Sequence, residues 1–260
     1  YTLLASTYDE SEKQMINEQI AERLKKEEFF CEDIDSEVFL HPIHTYDSYG
    51  KIDKDVRNKI NIELEKQLKE LARVIGAKTN QLLDDTVSLL LTDSRRLSFP
   101  EQSLFFALKT KTNDGHRYIQ ELYKLRVRNF VVSDMLPEFE SMKDANFLIV
   151  KDTLRALQKL ATHHRKQFNI PVIGITGSNG KTIVKEFLYQ LLHNEFNIVR
   201  SPRSYNSQLG VPLSVWQMSE KNTLGIFEAG ISQPDEMERL QPIIAPTLGI
   251  ITNIGEAHQE

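Results

Sequence analysis

Residues 172–182 read Val-Ile-Gly-Ile-Thr-Gly-Ser-Asn-Gly-Lys-Thr, an apolar run that breaks into glycines at intervals of three and closes on Lys181 and Thr182. Val172, Ile173 and Ile175 are β-branched, and the run is short enough for a buried parallel strand. From Ile183 the apolar residues switch to helical spacing, at Ile183, Val184, Phe187, Leu188, Leu191 and Leu192. Strand, glycine loop and helix in that order are the setting of a phosphate-binding loop. Glycines let backbone N–H groups approach an anion, and the helix N-terminus adds roughly half a positive charge. Gly177, Ser178, Asn179 and Gly180 would cradle the phosphates of ATP, Lys181 would reach the outer phosphates, and the Thr182 hydroxyl would ligate Mg²⁺. The pattern is G-x-x-G-x-x-G-K-T, with Ile175 where the common loop has its first glycine. A glycine-rich turn followed by a surface lysine is the alternative.

The chain has 260 residues, enough for two domains and a substantial core. Hydrophobic residues at 40% and charged residues at 27% place it among globular proteins. A net charge of -5 gives no general attraction to nucleic acid or to an anionic membrane. No apolar run approaches the roughly 20 residues that span a bilayer, and the first residues lack a basic segment followed by an apolar one. A cytoplasmic location is expected, and the single cysteine, Cys31, agrees with a reducing compartment. The sequence starts at Tyr1 and stops at Glu260 straight after a strand-like run, so a portion of a longer polypeptide is expected.

Three segments follow from patterning. Residues 1–65 form a charged, partly helical leader, in which Met15, Ile16, Ile20 and Leu24 make a thin apolar stripe suited to packing or to a protein partner. His41 and His44 lie near Cys31 without the spacing of a metal site. A helix is expected from Asp55 to Leu71, with Gly76 as a stop further on. Residues 66–165 alternate strands (Val87 to Leu91, Leu104 to Leu108, Phe130 to Val132, Phe147 to Val150) with helices (Tyr118 to Leu125, Thr153 to Phe168), which predicts a small α/β domain. Within it, Thr92-Asp93-Ser94-Arg95 follows a strand directly, and Asn113-Asp114-Gly115-His116 comes later. Polar clusters at strand ends suit ligand contact, and equally a turn with a helix cap.

Residues 166–260 form the second α/β domain, a parallel sheet around the glycine loop. Asn197 to Val199, Leu224 to Phe227 and Leu248 to Thr252 are its further strands, and a polar loop from Arg203 to Pro212 carries Asn206. In open α/β sheets ligands bind beyond the carboxyl ends of strands, where the glycine loop, Glu228 and His258 all fall. A carboxylate and an imidazole there can ligate Mg²⁺ or orient a γ-phosphate. They can also be a helix-start carboxylate and a loop histidine.

The run 174–182, the run Asn206 to Pro212, Glu228-Ala-Gly230 and Ile251-Thr-Asn-Ile-Gly-Glu-Ala-His258 resemble, in order and spacing, the ATP-binding domain of the Mur ligases of bacterial peptidoglycan synthesis. Thr92 to Arg95, Leu104-Phe-Phe-Ala107 and Asp114-Gly-His116 resemble the nucleotide-sugar domain of the members that add the third residue and the terminal dipeptide. The Glu-x-Gly form at 228–230 is closest to the dipeptide-adding members. The resemblance implies ATP-driven amide synthesis joining D-alanyl-D-alanine to UDP-N-acetylmuramoyl-tripeptide through an acyl phosphate. It implies that Lys181 stabilises the transferring phosphoryl group, that Thr182 and Glu228 hold one Mg²⁺, that His258 serves a second metal, and that Asn206 lies near the reacting groups. Asp93, Ser94, Arg95, Asp114 and His116 are then candidates for the uridine-diphosphate end of the substrate. A third-residue-adding ligase, a folylpolyglutamate-synthase-like ligase and a nucleotide-binding interaction module are the alternatives.

Overall fold

A computed structural model describes residues 66–79, 85–110, 112–231 and 235–255. The leader 1–65 with its apolar stripe, Cys31, His41 and His44, and the candidate metal ligand His258 lie outside these described residues. The chain is mixed α/β and divides between His163 and His164 into two compact units.

The first unit contains β1 (Lys66–Gln67), α1 (Leu68–Ile75), β2 (Lys78–Thr79), β3 (Thr86–Val87), β4 (Leu89–Leu91), β5 (Ser103–Phe106), α2 (Ile119–Lys124), β6 (Asn129–Val132), β7 (Asn146–Ile149) and most of α3 (Thr153–Arg165). Its main sheet has the order β2-β7-β6-β5-β4, with β4 to β7 parallel and β2 antiparallel at the edge. β1 and β3 make a separate antiparallel ribbon. Every residue of β5 and β6 is buried, which is why these strands read as continuous rather than alternating apolar runs. Phe130 and Phe147 stack at 5.3 Å between ring centroids and Phe139 and Phe147 at 5.2 Å, and each such ring contributes roughly 1.5–3 kcal/mol on burial. Two asparagines interrupt this apolar interior at the starts of β6 and β7. Asn146 Nδ2 donates to Asn129 Oδ1 at 2.9 Å, and Asn129 Nδ2 donates to Asp85 Oδ2 at 2.8 Å, so the buried amides form a short ladder.

Several element ends differ from the sequence reading. The helix expected from Asp55 to Leu71 is, among the described residues, α1 at Leu68–Ile75; it buries Leu68, Leu71, Ala72 and Ile75 and stops at Gly76 in the left-handed region at φ 69°. β5 ends at Phe106 because Leu108 N turns back to Phe106 O at 2.9 Å. α3 ends at Arg165, where Gln167 N and Phe168 N bond the carbonyls of His164 and Arg165.

The second unit contains β8 (Val172–Thr176), α4 (Lys181–Leu192), β9 (Ile198–Arg200), α5 (Gly210–Val215), β10 (Leu224–Glu228), α6 (Glu236–Ile244) and β11 (Leu248–Ile251). All four strands are parallel in the order β11-β8-β10-β9. β8 therefore has a neighbour on each side, and the segments leaving β8, β10 and β11 emerge side by side. Register sets their level: Glu228 pairs with Ile175, and Ile251 with Thr176. Ile173, Ile175, Leu188, Leu192, Leu224 and Ile226 form the core beneath. Among the described residues no helix is long and apolar enough to cross a membrane.

Candidate nucleotide site

The glycine loop leaves β8 at the position the register prepares. Gly177 has φ 132° and Gly180 has φ 79°, backbone that side chains rarely adopt. Space also excludes a side chain at Gly177, since a Cβ there would lie 2.2 Å from Thr252 Oγ1 and 2.8 Å from Asn253 O. Gly174 has a different task. It sits inside β8 in ordinary backbone, where a Cβ would come 3.1 Å from Pro246 Cβ, so the loop proper uses two of the three glycines.

The segment after β11 braces the loop. Ser178 N donates to Asn253 O at 3.0 Å, Asn179 N to Asn253 Oδ1 at 2.9 Å, and Gly255 N to Ser178 Oγ at 3.0 Å. Lys181 Nζ lies over the loop and donates to Gly177 O at 2.6 Å and Ser178 O at 3.3 Å. Lys181 is the first residue of α4, and its N-cap, Gly180, makes no side-chain cap. The leading N–H groups of this helix are thus left to an anion.

Beside that helix start stands Glu228, the last residue of β10 and fully buried. Its Oε2 accepts from Thr182 Oγ1 at 3.1 Å and from Asn206 Nδ2 at 3.4 Å. Its Oε1 lies 2.9 Å from Lys185 Nζ, a fully buried ion pair in close contact rather than an aligned hydrogen bond. Ser201 Oγ accepts from Glu228 N at 3.1 Å. The Asn206 loop is tied to the same strand end, because Gly230 N donates to Asn206 O at 2.7 Å and a Cβ on Gly230 would stand 2.9 Å from Asn206 Oδ1. The glycine of Glu-Ala-Gly is there to let Asn206 approach.

The candidate residues of the first unit also lie beyond strand ends, Asp93, Ser94 and Arg95 after β4 and Asp114 and His116 after β5. Asp93 caps the turn 94–96 by accepting from Arg95 N at 3.1 Å, and it pairs with the Arg95 guanidinium at 2.9 and 2.7 Å. That hydrogen bond holds the Asp93 carboxyl below the usual carboxylate range. The Ser94 backbone carbonyl accepts from Leu97 N at 3.3 Å. Asp114 caps the turn 115–118 through His116 N at 3.0 Å and contacts His116 Nδ1 at 2.6 Å. His116 is buried, and its Nε2 faces Ser133 N at 3.1 Å and Asp134 N at 3.3 Å. With Nδ1 protonated toward Asp114, Nε2 is the acceptor for both amides. Its ring nitrogens are engaged by the protein, whereas Arg95, 87% exposed, presents its outer face to solvent.

Residues 175–260 match the Mur ligase middle domain. The UDP-N-acetylmuramoyl-tripeptide–D-alanyl-D-alanine ligase of Bacillus subtilis is 30% identical over 199 residues, 76% of this chain and 43% of that protein. The ligase of the same name from Synechocystis is 36% identical over 180 residues, covering 69% of this chain and 39% of that protein. A crystal structure of MurF from Acinetobacter baumannii aligns with a TM-score of 0.69 at 26% identity, over 75% of this chain and 42% of that one. The MurF ligase of Thermotoga maritima in complex with ADP aligns at 0.58 and 28% identity, over 66% of this chain and 39% of that one. The chain thus spans about two-fifths of the length of these relatives.

Within the second unit, Lys185 is the residue of the candidate site that sequence reasoning missed. The expected apolar stripe included Ile183, which is 48% exposed, while Lys185 is fully buried in its stead. A usable signal was present: Lys181, Lys185, Leu188 and Leu192 recur at helical spacing, so the stripe that faces the sheet contains two lysines. Burial holds the Lys185 ammonium below the usual lysine range, against the opposing pull of Glu228. Next to it Arg200, paired with Glu186, is pushed by burial down to about 10.

Proposed function

We propose that the protein carrying this segment is an ATP-dependent ligase that joins D-alanyl-D-alanine to UDP-N-acetylmuramoyl-tripeptide. The observation that carries the reading is the convergence of Lys181, Thr182, Glu228 and Asn206 at the start of α4, with Thr182 Oγ1 3.1 Å from Glu228 Oε2. A hydroxyl and a carboxylate oxygen are hard donors that fit Mg²⁺, which when bound would neutralise phosphate charge. Thr182 and Glu228 would hold it, and His258 would serve a second metal.

Phosphoryl transfer between two anions needs positioning and charge compensation more than a protein nucleophile. The γ-phosphoryl group of ATP passes to the carboxylate that ends the tripeptide. The amine of D-alanyl-D-alanine then attacks the acyl carbon, and phosphate leaves. The N–H groups of Gly177, Gly180, Lys181 and Thr182 orient the phosphates, those of Ser178 and Asn179 being engaged by Asn253, and Lys181 exchanges its contacts with the Gly177 and Ser178 carbonyls for the transferring group. Asn206 lies where the acceptor carboxylate arrives. In the first unit, Ser94 and Arg95 bind the uridine-diphosphate end, while Asp93, Asp114 and His116 hold the turns that present it. A cytoplasmic setting fits these substrates.

The relatives' names favour the dipeptide as acceptor over a single third residue or a glutamate on folate, and a screen of amine substrates separates the three. The decisive test is phosphate release by the full-length protein with UDP-N-acetylmuramoyl-tripeptide, D-alanyl-D-alanine, ATP and Mg²⁺. Lys181→Ala is expected to lose at least about 10²-fold in kcat, the scale for removing one preorganised stabiliser of transition-state charge. Full activity in that variant would sink the mechanism.

A further inference from the structure

Glu228 is already paired inside the protein. Lys185 Nζ sits 2.9 Å from Glu228 Oε1, donates to Ser201 O at 2.9 Å and to Arg203 O, and lies 3.3 Å from Glu186 Oε1, which shares its carboxylate with Arg200. Two cations thus stand against two carboxylates, and the cluster sums to zero charge. Lys185 reaches one oxygen of Glu228 only; the other faces Thr182 and Asn206. A fixed positive charge directly behind a single-carboxylate site opposes capture of a free dication, because buried charges interact through a low effective dielectric. Nucleotide phosphates bring the negative charge that the cluster lacks.

We propose that Lys185 is a positioning residue, the resident counter-ion of Glu228, and that it restricts the Thr182–Glu228 site to a divalent cation arriving together with nucleotide. The inference rests on the reading that this site holds the metal of a nucleotide. Lys185 also anchors Ser201 O and Arg203 O on the strand-to-loop turn that leads to Asn206, so a neutral side chain at 185 unmasks the Glu228 charge, and one that keeps a donor for those carbonyls separates the charge from the anchoring.

The test is Mn²⁺ titration of the full-length protein, followed by electron paramagnetic resonance of free Mn²⁺, with and without ADP. Wild type is expected to bind Mn²⁺ tightly only when ADP is present. Lys185→Met is expected to tighten nucleotide-free Mn²⁺ binding about tenfold, equivalent to about 1.4 kcal/mol. Lys185→Gln, whose amide can still donate to a carbonyl, should do the same, and Lys185→Arg should leave it unchanged. Adding Glu228→Gln to Lys185→Met should abolish the gain, which locates it. Unchanged or weaker Mn²⁺ binding in the folded neutral variants overturns the proposal, as does failure of both to fold, which would make Lys185 structural. If wild type binds no Mn²⁺ even with ADP, the reading of the site itself fails instead.

Discussion

Both units set polar side chains beyond the carboxyl ends of parallel strands, yet they handle charge in opposite ways. In the first unit Asp93 and Arg95 pair at the surface, with the Arg95 side chain 87% exposed. In the second, Lys185 and Glu228 pair with no exposure at all. An exposed pair is weak, screened by salt and readily exchanged for a ligand's groups. A buried pair is costly to break, since either partner left alone is an uncompensated charge. The first arrangement suits a surface that trades partners with a substrate, the second a fixed frame around a reaction.

The sharpest way to break this contrast is to remove one carboxylate from each unit. Glu228→Ala strands Lys185 and is expected to destabilise the second unit by about 3–5 kcal/mol, read by denaturant unfolding. Asp93→Ala should shift the transition of the first unit far less than Glu228→Ala shifts that of the second, while raising KM for the UDP-linked substrate. Equal costs in the two variants would remove the distinction.

Backbone substitutions come next in size. Gly177→Ala forces a side chain into positive φ and against Thr252 Oγ1, and strain of this kind costs of order 1–3 kcal/mol. ADP affinity, measured by calorimetry, should fall with it. Gly249→Ala, where a Cβ would meet nothing within 4 Å, is the matched control and should bind ADP normally. In the first unit, Asn129→Ala removes the middle of the buried amide ladder and with it the bonds to Asn146 and Asp85, at a cost of about 0.5–1.5 kcal/mol for each bond lost, read in thermal or denaturant unfolding.

What sequence reading reached and what it missed follow the same physical line. The strand, loop and helix at 172–192 were legible because β-branched run, glycines and helical period are local signals. Glu228 was legible because it ends an apolar run that had to be a buried strand. Lys185 was hidden because its partner lies 43 positions away, on another strand, and a lysine on a helix ordinarily marks the solvent face. Gly174 reads as part of the loop until the neighbouring Pro246 is in place. Asn129 and Asn146 stand at the starts of strands whose apolar runs mask them, and only the register that sets them side by side gives each a partner. His116 was noticed for its chemistry, but its burial against Asp114 and the Ser133–Asp134 amides depends on β6. The residues that were missed or misjudged are those whose role is set by pairing across strands.

The smallest expected effect concerns pH: stability rises with pH in both units, but in different windows. The Asp93 carboxyl is held low by Arg95, so its folded pKa lies below the unfolded value near about 3.9. Its contribution is fully present above that value and is lost as pH falls through the depressed folded pKa. The pair is exposed, so the effect should be a shallow extra slope in unfolding midpoint below about pH 4, absent in Asp93→Asn and flattened by added salt. Lys185 is depressed as well, and here too the unfolded chain holds the proton more firmly than the folded one, in the alkaline range. Stability of the second unit should therefore rise as pH climbs through the lowered folded pKa toward the ordinary lysine value of 10.5, with Lys185→Met losing that rise. Acid would then probe the exchangeable pairs of one sheet and alkali the buried pair of the other. A second unit that lost stability toward high pH in wild type and Lys185→Met alike would show that Lys185 does not carry the burial penalty assigned to it.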